Sequence, residues 1–576
     1  MVMKGCTNYY SYDVFDTCLV RACGNPLCVF DIMANRILSG KNIACKMDFA
    51  QERINGELRA RTKFVNPTNE DITLEQIYSC CDFSIWTNWS NKEIQNIELR
   101  VESEMLLPVR SIQNEIMKHR AEGAKIIFIS DMYLDDSFIL SILVKSGIFQ
   151  DGDSLFVSCN CGSRKSTGNL YQYVKDKLTI DPKRWIHCGD NYYSDVFIPK
   201  KLGIKAYRVS HTYSYYERLL LSKDFSSQCF FIKILASISR SLVCRYGTSS
   251  EVLFASDFVA PLYVLFVLFV LEDAKSRGIA HLYFCARDGY ILKVIAENVI
   301  NLVDRYNNMT TNYLYVSRKS LYAPGFNQLD TDNREGTQRE LCYKYFDQEG
   351  LTKKKCAIVD LRGTRKCHVA INNILNYYGA PSVFGYYLEV VKDRICGSDY
   401  EAILFGERYN RNPINCCFEP SGLFEQYFSI TDQKRTCGYE LKDDKIYPLF
   451  EEEDGDMNYR RKISRINMDV CKDFALLFLK ISPSTLDYRH LCEMIVSVYS
   501  DFAMAPSKTY LNALSELVLT DSNDSCRPLL KHHSFFTKGD KSIWYVADKV
   551  YNSIVSQLIT WYYRIRIEYL RFNQGW

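Results

Sequence analysis

Residues 9–21 read YYSYDVFDTCLVR, an aromatic, β-prone run that ends on Asp13, with Asp16 and Thr17 just behind it. An aspartate there suits an ordinary turn, because Asp is common where strands end. It suits equally a carboxylate delivered to the edge of a sheet for chemistry. The rest of the chain has to decide.

Outward from Thr17 the pattern becomes helical. In residues 49–64, FAQERINGELRARTKF, Arg53, Glu57 and Arg61 recur every fourth residue and share one helix face. The plain reading of that trio is an exposed salt-bridge ladder, worth roughly a few tenths of a kcal/mol per pair. Gly123 breaks the helical run, and residues 124–130, AKIIFIS, form an apolar strand ending at Ser130. From there helices (137–148, 168–178, 195–204) alternate with strands (154–159, 184–188, 205–209). Such alternation with short connections implies a doubly wound parallel sheet, an α/β fold. Ligands of these sheets sit beyond the carboxyl ends of the strands, which selects Asp13, Ser130, Lys165 and Asp190.

These residue types suit covalent phosphoryl transfer. That reaction needs a nucleophilic carboxylate, a cation to offset charge, and donors for the phosphate oxygens. Asp13 fits the nucleophile. Asp190, with Asp195 behind it, fits a Mg²⁺ site shared with Asp13, since Mg²⁺ takes a few carboxylates plus waters and substrate oxygens. Ser130 and Thr17 offer hydroxyl donors, and Lys165 can pair with phosphate and nucleophile alike.

Four motifs in order, SYDVFDT, IIFISDMYLD, SRKSTGNLY and HCGDNYYSD, resemble those of the haloacid dehalogenase superfamily of hydrolases over residues 8–212. The resemblance implies a Rossmann-like parallel sheet in residues 1–212, with a C1-type helical cap at about 19–120 that closes over the site and selects substrate. It makes Asp13 the nucleophile, Ser130 the second-motif hydroxyl, Lys165 the third-motif lysine, and Asp190 with Asp195 the fourth-motif acids. One departure matters. Phosphatases of the superfamily carry a second Asp two residues after the nucleophile as general acid and base, and here that place is Phe15. Dehalogenase-type members have an aromatic residue there and attack carbon. Asp16 stands where the family usually has Gly. Three readings stay open: a phosphohydrolase or phosphotransferase drawing its proton from elsewhere, Asp16 or the substrate; a carbon-directed hydrolase; and a domain that binds metal or ligand with little turnover. Retention of both Asp190 and Asp195 favours phosphate and Mg²⁺, because acids beside a carboxylate nucleophile repel it without a cation.

Residues 213–250 read as a linker or bridge, and 251–450 as a second α/β domain. Strands near 281, 312, 356 and 384 end in turns bearing Arg287-Asp288-Gly289, Arg318 and Arg362-Gly363-Thr364-Arg365. The plain reading is that Arg287 and Asp288 cap a helix and pair with each other. The sharper one is a second site, where Arg287, Arg318, Arg362 and Arg365, beside Asp288, hold a phosphorylated or nucleotide-linked sugar. The whole chain resembles bacterial proteins with a phosphatase-like front half and an RDGY-bearing rear half, associated with surface-polysaccharide synthesis; a sugar phosphate is therefore the expected small-molecule partner. Residues 451–576 read as a helical region, including VYNSIVSQLITWYYRIRIEYL at 550–570.

A net charge of +3 over 576 residues argues against a nucleic-acid partner held by a basic surface. The 23 cysteines, behind an N-terminus without an apolar signal region, predict reduced thiols and a cytoplasmic location. Cys159 and Cys161 lack the second pair a zinc site needs. The apolar run FVAPLYVLFVLFVL, residues 258–271, falls short of the ~20 residues of a membrane span and predicts a buried core helix, with no transmembrane segment.

Overall fold

The computed structural model describes residues 8–209, 229–326, 333–391, 398–405, 423–452, 457–482, 486–504, 508–514, 518–520 and 526–528. The part of the expected bridge at 213–228, and the helix expected at 550–570, lie outside the described residues. The chain divides into two compact units. The first holds residues 1–214, 226–248 and 481–483, and the second holds 215–225, 249–480 and 484–576.

In the first unit the strands are β1 (Tyr9–Tyr12), β2 (Leu19–Arg21), β3 (Leu106–Pro108), β4 (Lys125–Ser130), β5 (Ser154–Val157), β6 (Trp185–Gly189) and β7 (Lys205–Arg208). Five of them make one parallel sheet in the order β5-β4-β1-β6-β7. The order reverses between β1 and β6, the topological switch point where such sheets open a crevice for ligand. Ile127, Ile129, Leu170, Val174 and Trp185 pack a core against the sheet.

Between β1 and β4 the antiparallel ribbon β2–β3 leads into and out of a helical insert, whose helices are Leu27–Ile37, Ile43–Phe64, Leu74–Ser79 and Asn91–Met105. The insert is narrower than residues 19–120. Helix Arg110–Ala121 belongs to the sheet layer, where His119 stacks on Tyr10 and accepts or donates a 2.7 Å hydrogen bond at Tyr12. Helix Cys229–Tyr246, within the stretch expected to bridge, packs on the ribbon of the first unit, and Ser241 Oγ donates to the Arg21 carbonyl at 3.2 Å.

The expected exposed ladder is buried at its working end. Arg53 and Glu98 are both fully buried and paired at 2.7 Å, and the Arg53 guanidinium lies over the rings of Phe30 and Tyr133. The trio continues through Arg61 to Asp71, which accepts at 2.6 Å from Ser158 Oγ, the first residue after β5. Leu74 N bonds the Tyr133 carbonyl, and Glu70 accepts from the Arg164 amide. The insert is thus fastened to the loops that follow β4 and β5.

The second unit repeats the parallel design with β8 (His281–Cys285), β9 (Thr310–Leu314), β10 (Cys356–Gly363), β11 (Phe384–Val390) and β12 (Tyr400–Phe405), in the order β12-β11-β10-β8-β9. Its switch point falls between β8 and β10. An antiparallel hairpin, β13 (Thr436–Lys442) with β14 (Lys445–Phe450), and long helices Met457–Ile481 and Tyr488–Met504 follow the sheet in the chain. The helix Ser250–Ser276 is long and apolar enough to cross a bilayer, but 94% of its most apolar window is buried inside the structure, so it serves as a core helix. It runs for 27 residues, nearly twice the apolar run that marks it in the sequence.

Candidate functional site

β1 delivers Asp13 to the switch-point edge, where its amide bonds the Cys188 carbonyl of β6 at 2.8 Å. β6 ends one residue before Asp190, and a π-helix, Tyr192–Phe197, carries Asp195 back toward the strand. Gly189 makes that return possible: a Cβ there would sit 2.4 Å from the Asp195 carboxyl carbon. The carboxylates of Asp13, Asp190 and Asp195 come within 4.8 Å of one another. Lys165, from the loop after β5, is buried among them; its Nζ donates to Asp13 Oδ1 and, at 2.7 Å, to Asp195 Oδ1. Thr17 Oγ1 donates to Asp13 Oδ2 at 3.3 Å. Ser130, buried, ends β4 on the neighbouring side of β1.

Burial, reinforced by Asp195 and Asp190, pushes the Asp13 carboxyl well above the usual range despite Lys165. Burial, with Asp16 and Asp195, raises Asp190 to about 6. Burial also opposes ionisation of Asp195, but Lys165 and His187 outweigh it and hold that carboxylate below the usual range. Three carboxylates facing a single ammonium leave negative charge that a small hard cation would offset, and oxygen-only donors at this spacing fit Mg²⁺. Among the described residues no other His, Cys, Asp or Glu group comes together in this way, the Cys159 and Cys161 pair included. The 17 cysteines whose side chains are described, Cys159 and Cys161 among them, are free thiols.

Several working residues escape a reading of strand ends. Asp131 accepts the Lys165 amide at 2.8 Å and so shapes the loop that aims the lysine. His187 sits in mid-strand, linked by Nε2 to Asp195 at 3.4 Å and by Nδ1 to Ser11 at 2.7 Å, and the Trp185 indole donates to Ser11 in turn. Asn191 gives its amide to Asp195 Oδ2 and caps the π-helix with its side chain. Phe15 lies under the Arg21 guanidinium at 4.6 Å, and Arg21 is tied to Glu102 of the insert at 3.0 Å. Asp16 has a φ of 56°, a left-handed backbone that Gly adopts more readily than Asp, and its charge reaches Asp190.

In the second unit, Arg287, Asp288, Arg318, Arg362 and Arg365 all line one cavity of about 880 Å³ at the β8–β10 switch point. The arginines are not equivalent. Arg362 is held by Glu389 at 2.6 Å, and Arg365 by Asp399 at 3.7 Å with its guanidinium over the Tyr400 ring. Asp288 stands at the start of helix Gly289–Leu302, but its side chain caps no amide. Burial, with Glu425 and Asp360, pushes Asp288 up to about 8, and burial raises Asp360 to about 6. The folded chain therefore binds more protons here than the unfolded chain, and stability is lost as pH rises from about 4 toward 8. Asp288→Asn is expected to flatten the decline in Tm between about pH 5 and 8. A thermal melt series with an unchanged slope would assign that decline elsewhere.

No family model matches the chain, and no curated protein does. Among solved structures, a HAD-family enzyme of Bacteroides thetaiotaomicron is 14% identical, over 38% of this chain and 97% of its own, with a TM-score of 0.27. The L-2-haloacid dehalogenase of Xanthobacter autotrophicus is 12% identical, over 40% and 88%, with a TM-score of 0.29. The putative HAD-hydrolase YfnB of Bacillus subtilis, a structure bound to magnesium, is 15% identical, over 35% and 85%, with a TM-score of 0.25.

Proposed function

We propose that the first unit is a Mg²⁺-dependent hydrolase of the haloacid dehalogenase type, a phosphohydrolase or phosphotransferase working through an aspartyl-phosphate. Its substrate is a phosphorylated small molecule of the sugar-phosphate kind. The observation that carries this reading is the gathering of Asp13, Asp190 and Asp195 around buried Lys165 at a switch point. Those acids would hold Mg²⁺, which when bound offsets the charge of carboxylate and phosphate.

Lys165 and Thr17 fix the Asp13 carboxylate by one hydrogen bond to each oxygen. An Asp13 oxygen attacks phosphorus, the bond to the leaving oxygen breaks, and that oxygen takes a proton. Water then attacks the phosphorus of the aspartyl-phosphate, releasing phosphate and restoring Asp13. Lys165 and Ser130 steady the phosphate oxygens. The pairing of Lys165 with Asp195 keeps the ammonium aimed at the nucleophile.

A second reading, a domain that binds a phosphorylated ligand without turning it over, is favoured by Phe15. Its ring fills the place of the usual acid and is stacked by Arg21. Asp16 is the proton source nearest that place in the chain, and its charge acts on Asp190. Asp16→Asn is expected to slow hydrolysis of alkyl phosphates by ~10²-fold, and to leave p-nitrophenyl phosphate, with its good leaving group, almost unchanged. Equal loss on both esters would remove Asp16 from the proton transfer.

A further inference from the structure

The cavity of the second unit contains features that its own fold does not use. Arg318 begins helix Arg318–Phe326 at the end of β9, is exposed, and makes no hydrogen bond or ion pair with any described residue. Asp288, across the switch point, likewise has no hydrogen bond or ion pair with a described residue. Thr436 lines the same cavity at 1% exposure, and its hydroxyl has no partner, although its carbonyl accepts from Ser317 Oγ at 2.6 Å. Asp360 spends Oδ1 on the Leu361 amide at 2.9 Å, and Oδ2 makes no hydrogen bond with a described residue.

The charges are sorted within the cavity. Arg362 is neutralised by Glu389, while Lys319 and Arg435 share Glu451. Arg287, Arg318 and Lys366 bring further cationic groups to the cavity wall. Helices Gly289–Leu302 and Lys366–Tyr377 start at the same edge, so their amide dipoles add to the positive field. Opposite that field stand Asp288 and Asp360, acceptors with no cationic partner within hydrogen-bonding reach among the described residues. A ligand that satisfies both halves must carry an anion with several oxygens and, beside it, hydroxyl donors. A volume of about 880 Å³ admits a nucleotide or a sugar phosphate.

We propose that this cavity is a second binding site, taking a phosphate ester that bears neighbouring hydroxyls. Arg318 and Arg287 hold the phosphate, and Asp288 and Asp360 accept from the hydroxyls. Arg362 and Arg365 form the wall and hold its shape. All of its lining residues belong to the second unit, and its occupant binds whether or not the Asp13 centre is active.

Isothermal titration of the full chain in EDTA tests this, with inorganic phosphate, glucose 1-phosphate and uridine diphosphate as probes. Saturable binding of at least one ester is expected, tighter than that of inorganic phosphate, and which ester binds more tightly tells a sugar phosphate from a nucleotide. Arg318→Ala should weaken that binding by about tenfold or more, since a charge-assisted bond to phosphate is lost. Exposed Arg318 can be removed without disturbing a core. Asp13→Asn should leave that binding intact. No saturable binding in the millimolar range, a Kd indifferent to Arg318→Ala, or binding lost in Asp13→Asn would overturn the site. Inorganic phosphate binding as tightly as both esters would overturn the role of Asp288 and Asp360.

Discussion

Asp13→Asn is expected to abolish phosphoester hydrolysis, by at least ~10³-fold with Mg²⁺ present, while leaving the first unit folded. The loss follows from geometry. Asp13 is the carboxylate to which both Lys165 and Thr17 donate, and no other acid of the cluster holds that position at the end of the central strand. An amide is a far weaker nucleophile than a carboxylate, so ester formation at that position stops. Stability should move the opposite way. The site crowds Asp13 against Asp190 and Asp195, and burial already opposes its ionisation. Replacing it with a neutral amide relieves that repulsion, so Tm in EDTA should rise or hold. The decisive measurement pairs the two: initial rates over a panel of sugar phosphates and nucleotides, and melts with and without Mg²⁺. A variant that keeps native rates would sink the aspartyl-phosphate route. Loss of activity together with a much lower Tm would show only that the site had collapsed.

Much of this centre is legible in the sequence because of how parallel sheets work. Each strand of an alternating pattern ends at the same edge, so Asp13, Lys165 and Asp190 can be brought together without any knowledge of their contacts. The residues that stay hidden are those whose role depends on partners far along the chain. His187 lies inside an apolar strand and reads as core until Ser11 and Asp195 are seen on either side of it. Asp131 looks like one more turn acid, and only the fold sets it under the Lys165 amide. The sequence pattern marks neither β12 nor the β13–β14 hairpin. Arg53 is the clearest case. Spacing of four residues identifies Glu57 as its neighbour, whereas the partner that determines its burial, Glu98, is 45 residues away on another helix.

That distant pairing sets the largest stability effect expected in the first unit. Arg53 donates to Glu98 through Nε at 2.7 Å and Nη2 at 2.8 Å, and Tyr78 adds its hydroxyl to the same carboxylate at 2.7 Å. Neither charged side chain touches solvent. Arg53→Ala would leave the Glu98 carboxylate buried with only a phenol for company, an arrangement that costs about 3–5 kcal/mol when one partner of a buried pair is removed. For a unit of this size that corresponds to a fall in Tm of roughly 6–20 °C. Loss of packing over Phe30 and Tyr133 adds to it, and Tyr133 lies in the loop after β4, so the insert should loosen from the sheet as well. The control is Arg53→Met with Glu98→Gln: a neutral pair that keeps the acceptor for Tyr78 and restores apolar contact over both rings. It should recover more than half of the loss, because the damage in the single variant comes from an uncompensated charge and not from missing volume. Calorimetric melts of the two variants and the native chain decide the matter. If Arg53→Ala costs less than about 1 kcal/mol, the pair behaves like a surface ladder and the insert is not anchored through it.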